Sequence, residues 1–236
     1  MSQFDIKNDT HRRYNILTGE WMLVSPHRGK RPWQGQQEKP QAPAQIDYDT
    51  HCYLCPGNER VGGVKNPKYT EPFVFTNDFS AITPSITEGK NNEEMFRVRS
   101  EKGICKVICF SPNHSKTVPQ LTLNEVEKVL RVWKEQYQEL GAKDFINHIQ
   151  IFENKGAAMG CSNPHPHCQI WAQESIPEIV AKEDTQQKAY FAQHGTALLL
   201  DYMAKELEKN ERIVAENDTF VALVPFWATW PYEVMI

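Results

Sequence analysis

The sequence predicts an α+β fold in which an antiparallel sheet is flanked by helices. Several short runs are rich in β-branched and aromatic residues, and this bias in so short a run favours a strand over a helix. These runs cover residues 73–75, 106–110, 145–152 and 169–172. Longer runs with helical periodicity predict three helices, over residues 122–141, 179–191 and 197–209.

Composition places the chain among ordinary globular proteins. Of its 236 residues, 40% are hydrophobic and 24% are charged, which suits one domain or one domain with a small appendage. The formal net charge of −4 provides no broad basic surface for nucleic acid. No apolar run approaches the ~18 residues that a membrane-spanning helix needs. These limits fit a protein that binds a small charged ligand.

The first residues of the chain contain no apolar run of the kind that a secretory signal requires. We therefore expect a cytoplasmic, reducing setting. In such a setting the six cysteines are expected to be thiols or metal ligands.

The N-terminal part combines a predicted strand with a basic cluster. The strand is predicted around Trp21–Val24, and the cluster consists of Arg28, Lys30 and Arg31. A solvated loop is the ordinary interpretation of such a cluster. The next stretch, residues 34–49, is rich in Gln, Pro and Ala and predicts an extended surface connection.

Cys52 and Cys55 form a Cys-x-x-Cys motif that is followed by Pro56 and Gly57. A tight turn between two such cysteines places both sulfurs around one metal ion. The redox alternative requires a thioredoxin-like βαβ context, which the Pro-Gly-Asn sequence after Cys55 does not suggest. A zinc site is therefore favoured, provided that two more ligands exist.

The predicted strands before the first helix are bounded by polar residues. The strand at 73–75 leads into Asn77 and Asp78, residue types that often end strands for turn reasons. Residues 86–94 are polar with low periodicity and predict a loop. Cys105 and Cys109 lie in or beside a predicted buried strand and are expected to be small core residues.

The helix over residues 122–141 is the clearest in the chain. Thr122 and Glu125 match a capping box, and Gly141 is expected to close the helix. Trp133 and Tyr137 are predicted to be core residues. The apolar face consists of Val126, Val129, Leu130, Trp133, Tyr137 and Leu140.

The segment from Phe152 to Trp171 predicts a loop between two strands. Gly156 and Gly160 permit backbone conformations that other residues avoid, so that amides there can turn toward an anion. Ser162 and Asn163 add side-chain donors. This combination is typical of a phosphate-binding loop.

Two histidines follow in the same segment. His165 and His167 are preceded by Pro164 and Pro166, which stiffen the turn. A surface turn or a metal pair is the usual interpretation of an isolated His-x-His motif. Beside an anion-binding loop, however, a neutral imidazole can attack phosphorus directly, and His167 is the predicted nucleophile.

The C-terminal part predicts a hairpin after the second and third helices. Its strands cover residues 213–216 and 220–224, with Asn217 and Asp218 in the turn. Residues 232–236 are largely apolar, as if a further strand were beginning.

The residues from Glu153 to Gln169 resemble the active-site signature of the galactose-1-phosphate uridylyltransferase family, in the histidine-triad superfamily. The match is long and without gaps, and the resemblance covers essentially the whole chain. Further runs that resemble the family are Arg12–Asn15, Ser25–Trp33, Phe75–Asp78 and Trp227–Pro231.

This resemblance implies a histidine-triad arrangement in which the antiparallel sheet forms a half-barrel. Residues 1–195 are then an N-terminal catalytic unit with a zinc site. Residues 196–236 are the start of a C-terminal repeat that is incomplete here. We therefore expect the sequence to be a truncated or partial chain.

The resemblance also implies the ligands of two metal sites. Zn²⁺ is expected on Cys52, Cys55, His114 and His165, although a loop histidine is the alternative for His114. Glu183 aligns with a ligand of a second metal, Fe²⁺ or Zn²⁺, but the histidine partners of that site are absent from the chain. A surface carboxylate is the alternative for Glu183.

Further residues are implied to contact substrate. Arg28 and Arg31 would reach it from a neighbouring subunit, so the resemblance implies a homodimer with a shared site. His167 and Gln169 are the implied catalytic residues, and a glutamine hydrogen-bonds without shuttling protons near pH 7. The other residues that the resemblance implies to contact substrate are Val61, Asn77, Asp78, Asn154, Gly160, Cys161 and Ser162. Gln169 is implied to contact substrate as well.

The implied activity is a nucleotidyl transfer in galactose metabolism. A uridylyl group would pass from UDP-glucose to His167 and then to galactose 1-phosphate, giving glucose 1-phosphate and UDP-galactose. A nucleotide hydrolase or a nucleoside-diphosphate-sugar phosphorylase on the same scaffold is one alternative, since a fold does not determine its acceptor. An inactive, zinc-stabilised nucleotide-binding fragment is another.

Overall fold

The computed structural model describes residues 4–32 and 45–236. Trp33 and residues 34–44 of the predicted connection lie outside the described residues. The chain divides into two compact units. The first, here called the sheet unit, is Lys39–Ile176, and the second, the terminal unit, combines Met1–Glu38 with Pro177–Ile236. The predicted boundary between residues 195 and 196 stays a prediction.

The elements confirm the predicted α+β fold with antiparallel pairing. Within the described residues the strands are β1 (His11–Asn15), β2 (Glu20–Val24), β3 (Phe73–Thr76), β4 (Lys90–Glu93), β5 (Phe96–Arg99), β6 (Gly103–Cys109), β7 (His148–Phe152), β8 (His167–Gln173), β9 (Ile213–Glu216) and β10 (Val221–Leu223). The helices are α1 (Leu123–Gly141), α2 (Glu178–His194) and α3 (Leu198–Lys209).

Four strands of the sheet unit form one antiparallel sheet in the order β3-β6-β8-β7. Val107 on β6 lies opposite Phe75 on β3 and Gln169 on β8, and Gln169 lies opposite Phe152 on β7. Directly opposite residues of antiparallel strands share a face. These four side chains therefore form one row across the sheet.

Helix α1 covers the other face of this sheet. Its capping box is confirmed: the Thr122 backbone N–H donates to the Glu125 carboxylate at 2.7 Å, and the Glu125 N–H donates to the Thr122 hydroxyl at 3.4 Å. The helix ends at Gly141, as predicted. The core between helix and sheet contains Ile108, Phe110, Val129, Leu140, Ile146, Cys168, Ile170 and Ala172.

One part of the predicted helix face is wrong. Trp133 packs against the core, but Leu130 is 51% exposed and Tyr137 is 56% exposed. The buried stripe centres on Val129 and Leu140, and Leu130 and Tyr137, seven residues apart, lie together on its flank. Tyr137 is therefore not a core residue in this structure.

The predicted loop at residues 86–94 is also partly wrong, because β4 occupies residues 90–93. It pairs with β5 in a hairpin whose turn includes Glu94 at a φ of 45°. Every residue of both strands is exposed. A strand without a buried face has no need for the apolar alternation that identifies strands in a sequence.

The terminal unit contains two antiparallel ribbons, β1-β2 and β9-β10, with helices α2 and α3. The predicted helices and hairpin of this region are confirmed. Glu206 on α3 is almost fully buried and accepts a 2.8 Å ion-pair contact from Arg212 Nη2. Among the described residues, no helix has the length and apolar character required to cross a membrane.

Candidate active site and metal centre

Successive side chains of strand β8 face alternately the core and the candidate site. Cys168, Ile170 and Ala172 are buried toward α1, whereas His167 and Gln169 are half-buried on the opposite face. The side-chain period of a strand is two residues. Both predicted catalytic residues are therefore presented on the same open face of the sheet.

The predicted Cys2His2 set comes together at one end of this face. The ligand atoms of Cys52, Cys55, His114 and His165 all lie within 4.8 Å of one another, and all four residues are buried. The Cys55 N–H donates to the Cys52 carbonyl at 3.1 Å, which is the tight turn that the motif predicts. The cluster can hold a metal ion.

The chemistry of these donors fits a cation. His165 Nε2 lies 2.9 Å from the Ser111 carbonyl, which can only accept, so that Nε2 carries the proton and the Nδ1 lone pair faces Cys55 Sγ. Burial raises the pKa of the Cys55 thiol to about 11 and lowers the pKa of His165 to about 4. Binding a metal would release the thiol protons and retain neutral imidazole.

Asn163 contacts this cluster, a role that the sequence interpretation did not include. It is buried, its amide nitrogen lies 3.6 Å from Cys52 Sγ, and its Oδ1 accepts from the His165 N–H at 2.8 Å. A hydrogen bond to a ligand sulfur, together with one to a ligand backbone, orients both ligands. Asn163 therefore supports the cluster, and it also lines the cavity beside the central loop.

The glycines of the central loop do adopt special conformations. Gly156 and Gly160 have φ values of 86° and 78°, on either side of a 3-10 turn at Ala157–Met159. The amides of Met159, Gly160 and Cys161 donate to the carbonyls of residues 156 and 157. Because these amides donate within the turn, an anion in the adjacent cavity would have to be bound by other donors of the loop.

His167 lies where two cavities of the sheet unit meet. The first, the loop-side cavity, has a volume of about 360 Å³ and contacts His167 together with Asn154, Cys161 and Ser162. The second, the strand-side cavity, has a volume of about 170 Å³ and also contacts His167 and Ser162. The structure thus places both the glycine loop and the end of β3 beside His167, the predicted nucleophile.

The tautomer of His167 follows from its hydrogen bond. Nδ1 lies 2.7 Å from the His165 carbonyl oxygen. Because a carbonyl only accepts, Nδ1 carries the proton and the neutral ring keeps its lone pair on Nε2. Nε2 is the atom available for nucleophilic attack.

Three of the predicted substrate contacts come together in the strand-side cavity. Val61, Asn77 and Asp78 line it together with Phe75 and Gln169. These residues come from a hairpin, the end of β3 and the middle of β8, and the sheet register brings them together.

The amide of Gln169 has a defined orientation. The Trp171 indole N–H donates to Gln169 Oε1 at 3.3 Å, and an indole nitrogen can only donate. The oxygen of the amide therefore faces Trp171, and the NH₂ group is left for the cavity.

The remaining predicted residues lie elsewhere. Gly160 is exposed and is not among the described residues that line either cavity. Arg28 and Arg31 are exposed, on and just after a 3-10 helix of the terminal unit. Glu183 is half-buried on α2 and belongs to no group of three or more metal-ligating side chains within the described ranges. Their roles stay predictions.

Sequence reasoning missed two residues that support the site. Tyr69 donates to the Leu54 carbonyl at 2.6 Å and lies 3.4 Å from His165 Nε2. The Arg60 guanidinium lies 4.0 Å from the Phe75 ring centroid. Neither residue belongs to a motif. The one signal for Arg60 in the sequence is that it directly precedes Val61, a predicted substrate contact.

Two family models match the chain. "Galactose-1-phosphate uridyl transferase, N-terminal domain" matches residues 1–177, and the C-terminal domain of the same name matches residues 183–236. The galactose-1-phosphate uridylyltransferase of Haemophilus influenzae is 53% identical, over 99% of this chain and 66% of that protein. Those of Saccharomyces cerevisiae and Rattus norvegicus are each 44% identical over 99% of this chain, covering 68% and 61% of their own lengths. The chain spans about two thirds of the length of these curated relatives.

Solved structures show the same fold. A uridylyltransferase structure is 26% identical, with a TM-score of 0.67, over 94% of this chain and 64% of that chain. An ADP-glucose phosphorylase from Arabidopsis thaliana, with bound ADP-glucose, is 24% identical, with a TM-score of 0.68, over 96% of this chain and 67% of that chain. The second likeness shows the fold alone.

Proposed function

Because the chain belongs to the galactose-1-phosphate uridyl transferase family, we propose that it transfers a uridylyl group from UDP-glucose to galactose 1-phosphate. The group is carried in between on Nε2 of His167. The observation that supports this most directly is the hydrogen bond from His167 Nδ1 to the His165 carbonyl. It leaves the Nε2 lone pair at the junction of the two cavities.

In the first half of the reaction, the Nε2 lone pair attacks the α-phosphorus of UDP-glucose. A P–N bond forms, the bond from that phosphorus to the bridging oxygen breaks, and glucose 1-phosphate leaves with the electron pair. The ring nitrogen then carries positive charge. The hydrogen bond from Nδ1 to the His165 carbonyl stabilises that charge and retains the proton.

In the second half, a phosphate oxygen of galactose 1-phosphate attacks the same phosphorus. The P–N bond breaks, Nε2 regains its lone pair, and UDP-galactose leaves. The NH₂ group of Gln169 donates to the non-bridging phosphate oxygens, where negative charge accumulates. Because this amide does not titrate near pH 7, it does not activate water.

The two cavities divide the substrate between them. The strand-side cavity, with Val61, Asn77 and Asp78, holds the uridine. The loop-side cavity, with Asn154, Cys161 and Ser162, holds the phosphates, and Gly160 supports the turn that shapes it.

The metal of the buried cluster is Zn²⁺ in this proposal. Two thiolates and two imidazoles form a closed tetrahedral ligand set, and when bound the ion supplies a structural cross-link. His165 contributes its ring to the ligand set and its carbonyl to His167. The chain's own residues thus connect the metal centre to the nucleophile.

Two finer points complete the proposal. The protein forms a cytoplasmic homodimer in which Arg28 and Arg31 of one subunit reach the substrate of the other. Glu183 contributes to a second site for Fe²⁺ or Zn²⁺. Analytical ultracentrifugation and elemental analysis test these two assignments separately.

Intact-mass measurement after incubation with UDP-glucose tests the function. We expect a mass increase of one uridylyl group, lost on acid treatment. His167→Gly should abolish the increase and leave the zinc content unchanged. His51→Gly, at an exposed histidine, is the matched control and should keep the increase. Failure of the unaltered protein to form the adduct contradicts the proposal, and an adduct on His167→Gly places the nucleophile elsewhere.

The choice of donor and acceptor distinguishes the alternatives. Labelling by ADP-glucose in preference to UDP-glucose, with release by inorganic phosphate, would indicate a phosphorylase. Release of UMP without any sugar phosphate would indicate a hydrolase. Stoichiometric UDP binding without labelling would indicate an inactive nucleotide-binding fragment.

A further inference from the structure

A tight hairpin, residues 58–66, carries Arg60 beside the strand-side cavity. The Arg60 N–H donates to the Val64 carbonyl at 2.8 Å, and the Asn66 N–H donates to the Asn58 carbonyl at 2.9 Å. The Asn66 side chain also donates to the Cys55 carbonyl at 3.1 Å. The hairpin is thereby anchored to the metal centre at its base.

The Arg60 side chain is buried without adequate partners. It is only 10% exposed, and among the described residues its Nε and Nη1 atoms have no hydrogen-bond acceptor. The acid beside it is Asp78, whose Oδ2 lies 3.6 Å from Nε, beyond a good hydrogen bond but within ion-pair range. One face of the guanidinium lies on the Phe75 ring, 4.0 Å from its centroid.

Such an arrangement is costly for folding alone. Buried N–H groups without acceptors cost free energy, and an apolar side chain of similar shape often replaces a buried charge without loss of stability. Arg60 is therefore poorly explained as a stabilising residue. Its position beside the strand-side cavity points to a role of its charge in the candidate site instead.

Both partners of Arg60 line the strand-side cavity, and so does its sequence neighbour Val61. Arg60 itself is not among the described residues that line the cavity. It forms a second layer behind Phe75 and Asp78. Arg60 would therefore act on a ligand of the cavity indirectly, by positioning these two side chains.

We propose that Arg60 is a positioning residue for nucleoside recognition, which holds the Asp78 carboxylate and the Phe75 ring in place for a bound uridine. The inference rests on the proposed function, since it assigns the uridine to the strand-side cavity. The guanidinium holds the Asp78 carboxylate in position as an acceptor for ribose hydroxyls. The flat guanidinium packs on the ring and faces the carboxylate at the same time, which a lysine ammonium cannot do.

Replacement of Arg60 by methionine tests the proposal. Arg60→Met keeps the apolar stem and removes the charge. We expect the KM for UDP-glucose and the Kd for UMP to rise about tenfold, with kcat at saturation changed less than about threefold. The melting temperature should stay the same or rise, because an unsatisfied buried cation is lost. Arg60→Lys should recover only part of the affinity.

Two further variants show whether Arg60 acts through Asp78. Asp78→Asn alone should weaken UMP binding, and adding Arg60→Met to it should have little further effect. Arg97→Met, at an exposed arginine of the same unit, is the matched control and should change neither KM nor Kd.

Several outcomes would overturn the proposal. Unchanged UMP affinity in Arg60→Met contradicts it. So does a lowered melting temperature with loss of zinc, which would indicate a structural role. Absence of the uridylyl adduct in the unaltered protein rejects the proposed function instead, and UMP binding by Arg60→Met still decides the role of Arg60. If the unaltered protein does not bind UMP, both are rejected.

Discussion

In the sheet unit, buried side chains lie on both faces of a four-stranded sheet, whereas the terminal unit is built from two-stranded ribbons. One face of the sheet packs against α1, and the other packs around the metal cluster with Tyr69, Phe73 and Phe75. In the described part of the terminal unit the buried side chains are Leu198, Glu206, Leu223 and Trp227. A two-stranded ribbon by itself is marginally stable in water.

The terminal unit also leaves more apolar surface uncovered. Leu23 on β2 is 72% exposed and Leu200 on α3 is 62% exposed. A cavity of about 780 Å³ lies between aromatic and basic side chains, including Phe226 and Arg212. The comparison indicates that the sheet unit presents the candidate site on a sheet packed on both faces, while the terminal unit depends on a few buried groups.

Loss of a metal ligand should have the largest effect, and it should be confined to the sheet unit. Cys55→Ser removes a fully buried donor of the cluster. Because structural zinc contributes ~10–16 kcal/mol of binding free energy in zinc-finger peptides, we expect a loss of stability above about 5 kcal/mol. Zinc analysis and hydrogen exchange measure it. Cys161→Ser, at a half-buried cysteine outside the cluster, should retain zinc, and equal losses in both variants would contradict the assignment.

The second effect should be confined to the terminal unit. Arg212→Met leaves the buried Glu206 carboxylate without its cation and should cost about 3–5 kcal/mol. Adding Glu206→Leu should recover most of this loss, since the charge then disappears. Urea denaturation followed by hydrogen exchange locates the change. Lys205→Met, in an exposed pair, should cost less than about 0.5 kcal/mol.

A smaller effect is expected at the start of α1. Thr122→Ala removes the acceptor for the Glu125 N–H and should cost about 1 kcal/mol. Thr122→Ser keeps the hydroxyl and should restore most of the loss. Thermal unfolding measures both, and equal melting temperatures for the two variants would contradict the capping role.

The smallest effect is a pH dependence at the same helix end. The Lys116 ammonium, the Thr122 N–H and the Thr122 hydroxyl lower the pKa of Glu125 from its usual 4.5 to about 2. A lowered pKa contributes stability that is present above the usual pKa and is lost as the pH falls toward 2. Glu125→Gln should remove this dependence, worth about 0.5 kcal/mol for so exposed a pair. Identical acid unfolding of both proteins would disprove it.

The sequence predicted the features that local patterns encode. The Cys-x-x-Cys turn, the capping box and the strand predicted at residues 169–172 each depend on residues close in sequence. The set of four metal-binding side chains was predicted through the family resemblance, and the structure brings these side chains together as expected. The position of His167 beside the loop was predicted from the glycines, prolines and histidines of that segment itself.

Other features depend on long-range pairing that no local pattern shows. The register of β3, β6 and β8 places Phe75 and Gln169 in one row, and only this row reveals the strand-side cavity. The proposed role of Arg60 follows from its contacts with Phe75 and Asp78, which lie outside its own hairpin. The exposed β4-β5 hairpin has no buried face, so that its sequence resembles a loop.

His165 takes part in both halves of the candidate site, since its imidazole belongs to the Cys2His2 set and its peptide oxygen accepts from His167 Nδ1. A turnover assay alone would therefore not distinguish loss of a metal ion from a displaced His167, because both depend on the position of His165. Variants anywhere in the Cys2His2 set should be scored first for metal content and only then for rate.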